Sequence, residues 1–312
     1  MKWLKRVALG LLALLVVSSV GGYVYFDRKF TPPANALSVS NTAEHVPIRW
    51  LAGDGNPHAA LLLPVEIEGI ANVFYMQLDT GAPSTVFYRT SLQSIRERQR
   101  AAFAIDDGKE HVDLAFSIGG LGIRSRQFEL LDYGNKVEFG NPEAANIIGT
   151  IGTDLLEKRI LVLDFKQGDC AFLQAVPEAG FSDFHFKKRR ILIPARIGDQ
   201  PRTLLYDSGS SGYSLLTSKQ EWDRLKTPGG QLTVEKGNSW GRTLKVMTAP
   251  ANQTLAMSTA TLPLTDVTYV EGTSRMQEWL MRSSGMQGMV GNTLFLGHTL
   301  TLDASRQKFK IE

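Results

Sequence analysis

The sequence predicts a mostly-β chain of two homologous lobes behind an N-terminal apolar helix. Three observations carry that expectation. An uncharged run lies near the N-terminus, and a set of sequence blocks recurs in the same order in both halves of the remainder. Short alternating or β-branched segments, bounded by Gly, Pro, Asn and Asp, fill both halves.

The N-terminal element comes first. Lys2, Lys5 and Arg6 precede an uncharged stretch over residues 7–26, which Asp27, Arg28 and Lys29 end. About 20 apolar residues span a bilayer as a helix. Basic residues in front are held on the cytoplasmic side. Residues 1–29 therefore read as a membrane anchor that leaves the rest outside the cytoplasm, periplasmic or extracellular. The same residues also fit a cleaved signal peptide, with its apolar region at Val7 to Val17 and a small-residue zone at Ser18 to Gly22. The rest would then be secreted. Residues 30–42, with Pro32-Pro33, read as a spacer.

The repeat organises the remainder of the chain. Leu62-Leu63-Pro64-Val65-Glu66-Ile67 resembles Leu192-Ile193-Pro194-Ala195-Arg196-Ile197, and Leu78-Asp79-Thr80-Gly81 resembles Tyr206-Asp207-Ser208-Gly209. Ser91 to Gln99 matches Ser218 to Lys226, each a short helix-like segment, and Phe103 to Gly108 matches Leu232 to Gly237. Ile151-Gly152-Thr153-Asp154 and the following Ile160 to Asp164 match Val290-Gly291-Asn292-Thr293 and Thr299 to Asp303. This places one lobe at 43–176, a linker at 177–188 and a second lobe at 189–312. Expected strands include Ala60 to Ile67, Val73 to Leu78, Val112 to Ile118, Arg159 to Phe165 and Gln307 to Ile311.

Composition narrows the function. The 312 residues carry 43% hydrophobic and 21% charged residues, enough for a core in each half. The net charge of +3 comes without a Lys/Arg stripe interleaved with aromatics, so nucleic acid is not expected as a partner. Lys187-Lys188-Arg189-Arg190 reads as solvated linker. The single Cys170 excludes an internal disulfide and a four-cysteine zinc site, and its run Cys170-Ala171-Phe172-Leu173 reads as a strand with a buried thiol. The five His are scattered with no His-Glu-x-x-His, so no metal is expected. Gly209-Ser210-Ser211-Gly212 is not Gly-x-Ser-x-Gly, which removes a serine-hydrolase reading.

Chemistry concentrates in the paired Asp-Thr/Ser-Gly tripeptides, Asp79-Thr80-Gly81-Ala82 and Asp207-Ser208-Gly209-Ser210. Each follows an apolar segment, and each is followed further along by a Gly-ending tripeptide, Thr150-Ile151-Gly152 and Met289-Val290-Gly291. One tripeptide alone is a common strand-ending turn. Two at equivalent repeat positions resemble the aspartic peptidases of the pepsin and retropepsin superfamily, over nearly all of the chain after Ala43. The resemblance implies two β-barrel-like lobes of the pepsin-like acid protease fold. It implies a catalytic pair, Asp79 and Asp207, that shares a proton, holds a water and needs no cofactor or metal. Two close carboxyls cannot both ionise easily. The implied supporting residues are Thr80, Gly81, Ala82, Ser208, Gly209, Ser210, Gly152 and Gly291, with Thr80 and Ser208 bracing the two loops across the interface.

Asp106-Asp107-Gly108 and Lys236-Gly237-Asn238 carry hairpin-turn signals where such a family has flaps. Asp107, Gly108, Gly237 and Trp240 are the flap candidates. Ala82 stands where pepsins carry a hydroxyl. The pair is thus asymmetric, with charge better supported at Asp207, activity reaching toward neutral pH, and Ala82→Ser moving the acidic limb lower. Met276, Trp279 and Leu280 fall on one face of a helix expected within 270–288, either packed on its lobe or lining a substrate or partner wall. The expected substrate is a peptide or protein, and a monomer suffices because the repeat supplies both halves. The alternative is a catalytically silent module that binds a peptide or protein of the cell envelope.

Overall fold

Three β-sheets account for most of the described chain, and their pairing follows the repeat. In the computed structural model, residues 28, 31–53, 55–99, 103, 105, 108, 110–239, 242–271 and 285–312 are described. The chain divides into a unit Met1–Asn35 and a unit Ala36–Glu312, and all three sheets belong to the second. The apolar stretch 7–26 and the helix expected around Met276, Trp279 and Leu280 lie outside the described residues. Among the described residues, no helix is long and apolar enough to cross a membrane.

In the first half, Asn56–Ile67 pairs antiparallel with Val73–Leu78, which runs parallel to Ile147–Ile151. Val86–Tyr88 joins Ile147–Ile151 to Leu121–Leu131. His111–Ile118 pairs with both Leu121–Leu131 and Asn56–Ile67, so the pairing returns to its first strand. The second half repeats this order. Arg190–Ile197 pairs with Gln200–Tyr206, Gln200–Tyr206 runs parallel to Gly288–Val290, and a bridge at Leu216 links Met289 to Thr268. Alternation drives these strands: Val112, Leu114, Phe116 and Ile118 are buried while His111 and Asp113 are exposed.

The third sheet joins the halves. Its order is Ser182–Asp183, Lys308–Ile311, Thr299–Asp303, Ile160–Asp164, Asp169–Leu173 and Ala43–Pro47, three strands from the first half, two from the second and one from the linker. At its centre Ile160–Asp164 and Thr299–Asp303 pair antiparallel, with Val162 opposite Thr301. Its buried Leu161, Leu163, Leu300 and Leu302 belong to a core that runs through both halves. Cys170 lies in this sheet, and burial pushes its thiol well up, as suits a packing residue.

Helix Arg89–Gln99 buries Leu92 and Ile95 on one face, and Lys219–Leu225 is capped by Ser218, whose hydroxyl accepts the Glu221 N–H.

Three segments differ from expectation. Ser38–Ser40, assigned to the spacer, is a strand paired with residues 122–124, and Leu37 and Val39 pack on the core. The linker contains strands Ser182–Asp183 and His185–Lys187. Within it, Lys187 pairs with Arg190 across a two-residue turn, and Lys188 and Arg189 both take positive φ, at 51° and 59°. That geometry matches the twist of a tight hairpin. Arg189 is not solvated but buried, because its guanidinium finds acceptors in the other half. Finally, Gly237 and Asn238 are not a turn. They pair with Leu244 and Thr243 within strand Thr233–Ser239, and the ladder continues to Ser239 opposite Arg242. Strand register overrides the dipeptide's turn preference.

Candidate active site

The sequence Leu78-Asp79-Thr80-Gly81 ends an inner strand, and Tyr206-Asp207-Ser208-Gly209 ends its counterpart. Each Asp is fixed in the same way. Asp79 N–H donates to Ile151 O at 3.0 Å, and Asp207 N–H to Val290 O at 2.9 Å. Each Asp carbonyl then closes a turn, accepting from Ala82 N at 3.2 Å and from Ser210 N at 3.1 Å.

A reciprocal set of hydrogen bonds joins the two loops. Thr80 Oγ1 donates to Tyr206 O and accepts the Ser208 N–H, both at 2.9 Å. Ser208 Oγ donates to Leu78 O at 2.8 Å and accepts the Thr80 N–H at 2.9 Å. Thr80 and Ser208 are fully buried. Four donors and four acceptors are therefore satisfied where water cannot reach them. Thr80→Val keeps the shape but orphans the Ser208 N–H and the Tyr206 carbonyl. A buried unpaired polar group costs about 1–3 kcal/mol, so the expected loss in denaturant unfolding is roughly 2–4 kcal/mol, while Thr80→Ser loses much less.

This brace brings the two carboxyls together. Asp79 and Asp207 face each other across this brace, each beside the other loop's glycine. A Cβ on Gly81 would sit 2.5 Å from Asp207 Oδ1, and one on Gly209 would sit 2.5 Å from Asp79 Cγ. Only glycine lets each loop approach the other's carboxyl. Burial, then the neighbouring Asp207 charge, push Asp79 up to about 7, against the opposing pull of the Gly81 and Ala82 N–H groups.

The donors are unequal. Asp79 Oδ1 accepts from Gly81 N at 2.8 Å and Ala82 N at 3.1 Å. Asp207 Oδ1 accepts from Gly209 N and Ser210 N, and Ser210 Oγ adds a bond to Oδ2 at 2.9 Å. The negative charge of the pair is thus better supported on the Asp207 side.

Gly152 and Gly291 lie where strands pass under these loops. A Cβ on Gly152 would overlap the Ser84 carbonyl, and one on Gly291 would overlap Ser210 O. Of the flap candidates, Gly108 is at a turn with φ 90° and Gly237 lies in a strand, while Asp107 and Trp240 lie outside the described residues.

Several supporting residues escaped the sequence reading. Asp154 is buried and accepts from Thr85 N and Thr85 Oγ1. Burial raises its carboxyl, opposed by those bonds and by the Arg189 charge. In the second half the neutral Tyr206 and Asn292 do the comparable work: Tyr206 OH donates to Asn292 Oδ1, and Asn292 Nδ2 donates to Ser211 Oγ. Asn56 and Arg189 also contact the loops from outside. Asp154 and Asn292 stood beside the aligned Gly152 and Gly291, a signal that was present but unread.

No protein-family model matches the chain, and no curated protein matches it in sequence.

Proposed function

We propose that the protein is an aspartic endopeptidase of the pepsin-like bilobal type, with Asp79 and Asp207 as its catalytic pair. The observation that carries this reading is two closely facing carboxyls from equivalent repeat positions, each met by the other loop's glycine. On this reading the pair holds one proton. The carboxylate takes a proton from a water lodged between the two groups as that water attacks the peptide carbonyl carbon. The protonated carboxyl donates to the carbonyl oxygen. Collapse of the tetrahedral diol, with proton transfer to the departing nitrogen, gives a carboxylic acid and an amine. The pair titrates as a unit, and activity requires the singly protonated form.

A hydroxyl-bearing peptide analogue, tetrahedral at the scissile position, mimics the diol. It should bind the wild type at least about 100-fold more tightly than it binds Asp79→Asn or Asp207→Asn, measured by calorimetry. Equal affinities would leave a peptide-binding module instead.

The pH dependence follows from Asp79. Activity should fall as pH rises through about 7, where the shared proton is lost. The geometry moves the expectation for Ala82→Ser from the acidic limb to the alkaline one. A hydroxyl at residue 82 would support the Asp79 carboxylate as Ser210 supports Asp207. The proton of the pair would then leave at lower pH, and the alkaline limb of kcat/KM should shift down by about one pH unit.

From the basic residues and the uncharged stretch after them, we also propose that residues 7–26 hold the enzyme at a membrane, with Ala36–Glu312 outside the cytoplasm and working as a single chain. Mass spectrometry of the membrane-extracted protein should find residues 7–26 retained. A mature N-terminus near Gly22 or Tyr23 would make it a secreted enzyme.

A further inference from the structure

Each half holds the other half's Asp loop from outside, through the turn of a matching hairpin. In the first half the hairpin is Arg49–Gly53 with Asn56–Ile67, and in the second it is His185–Lys187 with Arg190–Ile197. Asn56, at the first turn, donates Nδ2 to Gly212 O at 2.8 Å, in the loop after Asp207. Its Oδ1 accepts the His58 N–H, which fixes the amide's orientation. Arg189, at the second turn, donates Nη1 to Pro83 O at 3.0 Å and to Ser84 Oγ at 3.3 Å, in the loop after Asp79.

The two clasps differ in charge. The Arg189 side chain is 5% exposed and also donates Nε to Glu157 Oε1 at 2.7 Å. Its backbone carbonyl accepts the Thr153 hydroxyl at 2.7 Å, and the Thr153 N–H donates to Ala82 O at 2.9 Å. Arg189 therefore grips the Asp79 loop at Pro83 and Ser84 through its side chain, and at Ala82 through Thr153. Ala82 is one of the two residues whose N–H groups support the Asp79 carboxyl. A buried cation is costly unless well paired, and the second half does the equivalent work with a neutral amide.

We propose that Arg189 is a positioning residue for Asp79, fixing the 81–84 turn so that the Gly81 and Ala82 N–H groups stay aimed at the catalytic carboxyl. The proposal rests on the peptidase reading. Among the described residues, Asp207 and Tyr88 are the titratable groups that face Asp79, and Asp154 and Glu157 face Arg189. A lysine cannot reproduce the forked grip on Pro83, Ser84 and Glu157.

The test uses the full-length chain with Arg189→Met, Arg189→Lys and Arg189→Met/Glu157→Gln, each checked for folding by thermal melting. The double variant removes both charges of the Arg189–Glu157 pair together. The expected result for Arg189→Met and the double variant is a fall in kcat of roughly 10- to 100-fold with KM within about threefold, since misplacing a catalytic group mainly costs turnover. The alkaline limb should move to higher pH, because loosened N–H donors support the Asp79 carboxylate less, and Arg189→Lys should recover part of both changes. A kcat within about twofold of wild type in folded Arg189→Met or in the double variant would overturn the proposal. So would losses in kcat with an unmoved pH limb and no recovery in Arg189→Lys. If the wild type cleaves no peptide, the peptidase reading fails separately, and carbon-13 NMR titration of Asp79 still decides. A higher Asp79 midpoint in Arg189→Met supports positioning, and an unmoved midpoint refutes it.

Discussion

Replacing Asp79 with Asn is expected to abolish peptide hydrolysis and, at the same time, to make the protein more stable at neutral pH. Asn keeps the size of the side chain and can meet Asp207, but it cannot hold or release the proton that the proposed mechanism has the pair share. The loss in kcat/KM should reach about four orders of magnitude, and the double change with Asp207→Asn should be little worse than either alone, because the pair acts as a unit. The stability change has the opposite sign. Asp79 in the fold is raised from an ordinary 3.8 to about 7. Between these values the folded chain keeps a proton that the unfolded chain has released, so stability falls as pH rises through that window. Above about pH 7 the full cost applies, at most roughly 4 kcal/mol for a change of this size. Asp79→Asn removes it. Thermal melts should therefore show the variant several degrees above wild type at pH 8 and close to it at pH 4. Equal differences at the two pH values would mean that Asp79 is not desolvated by the fold.

Gly291→Ala is expected to prevent folding, or to cost more than about 4 kcal/mol, well beyond an ordinary surface substitution. The reason is space rather than backbone freedom. Gly291 has φ −98° and ψ −173°, extended values that any residue adopts. The added methyl, however, would overlap Ser210 O and lie 2.7 Å from Tyr213 O, and neither backbone oxygen can turn aside. Gly291 N–H also donates to Tyr213 O at 3.0 Å, which holds the strand in place. Gly152→Ala should behave alike, since its methyl would sit 2.5 Å from Ser84 O. Circular dichroism and denaturant titration check both. A well-folded Gly291→Ala protein would show that the loop after Asp207 is not packed on this crossing.

Much of this was legible because the repeat compares the chain with itself. Asp79 and Asp207, and Gly152 and Gly291, stood out as pairs, and the structure sets each pair at matching places. The unpaired features were harder to read. Arg189 looked like solvent-facing charge in a basic run, because local composition does not report that Pro83, Ser84 and Glu157 converge on it from the other half. Gly237-Asn238 carried a turn signal that strand register overrode. Ser38–Ser40 looked like spacer because a three-residue edge strand leaves almost no periodicity to detect. The loop supports, ionic beneath Asp79 and neutral beneath Asp207, had diverged between the copies, so self-comparison could not reveal them.

Digestion of a diverse peptide library by purified Ala36–Glu312, beside its Asp207→Asn counterpart, decides between a peptidase and a silent binding module. The fragment starts at Ala36 so that strand Ser38–Ser40 stays in its sheet. The wild-type fragment should cleave, with activity that declines above about pH 7 and that a metal chelator and serine- and cysteine-directed reagents leave unchanged, and Asp207→Asn should eliminate cleavage while the melt stays cooperative. Cleavage that survives Asp207→Asn unchanged would contradict the proposed catalytic pair.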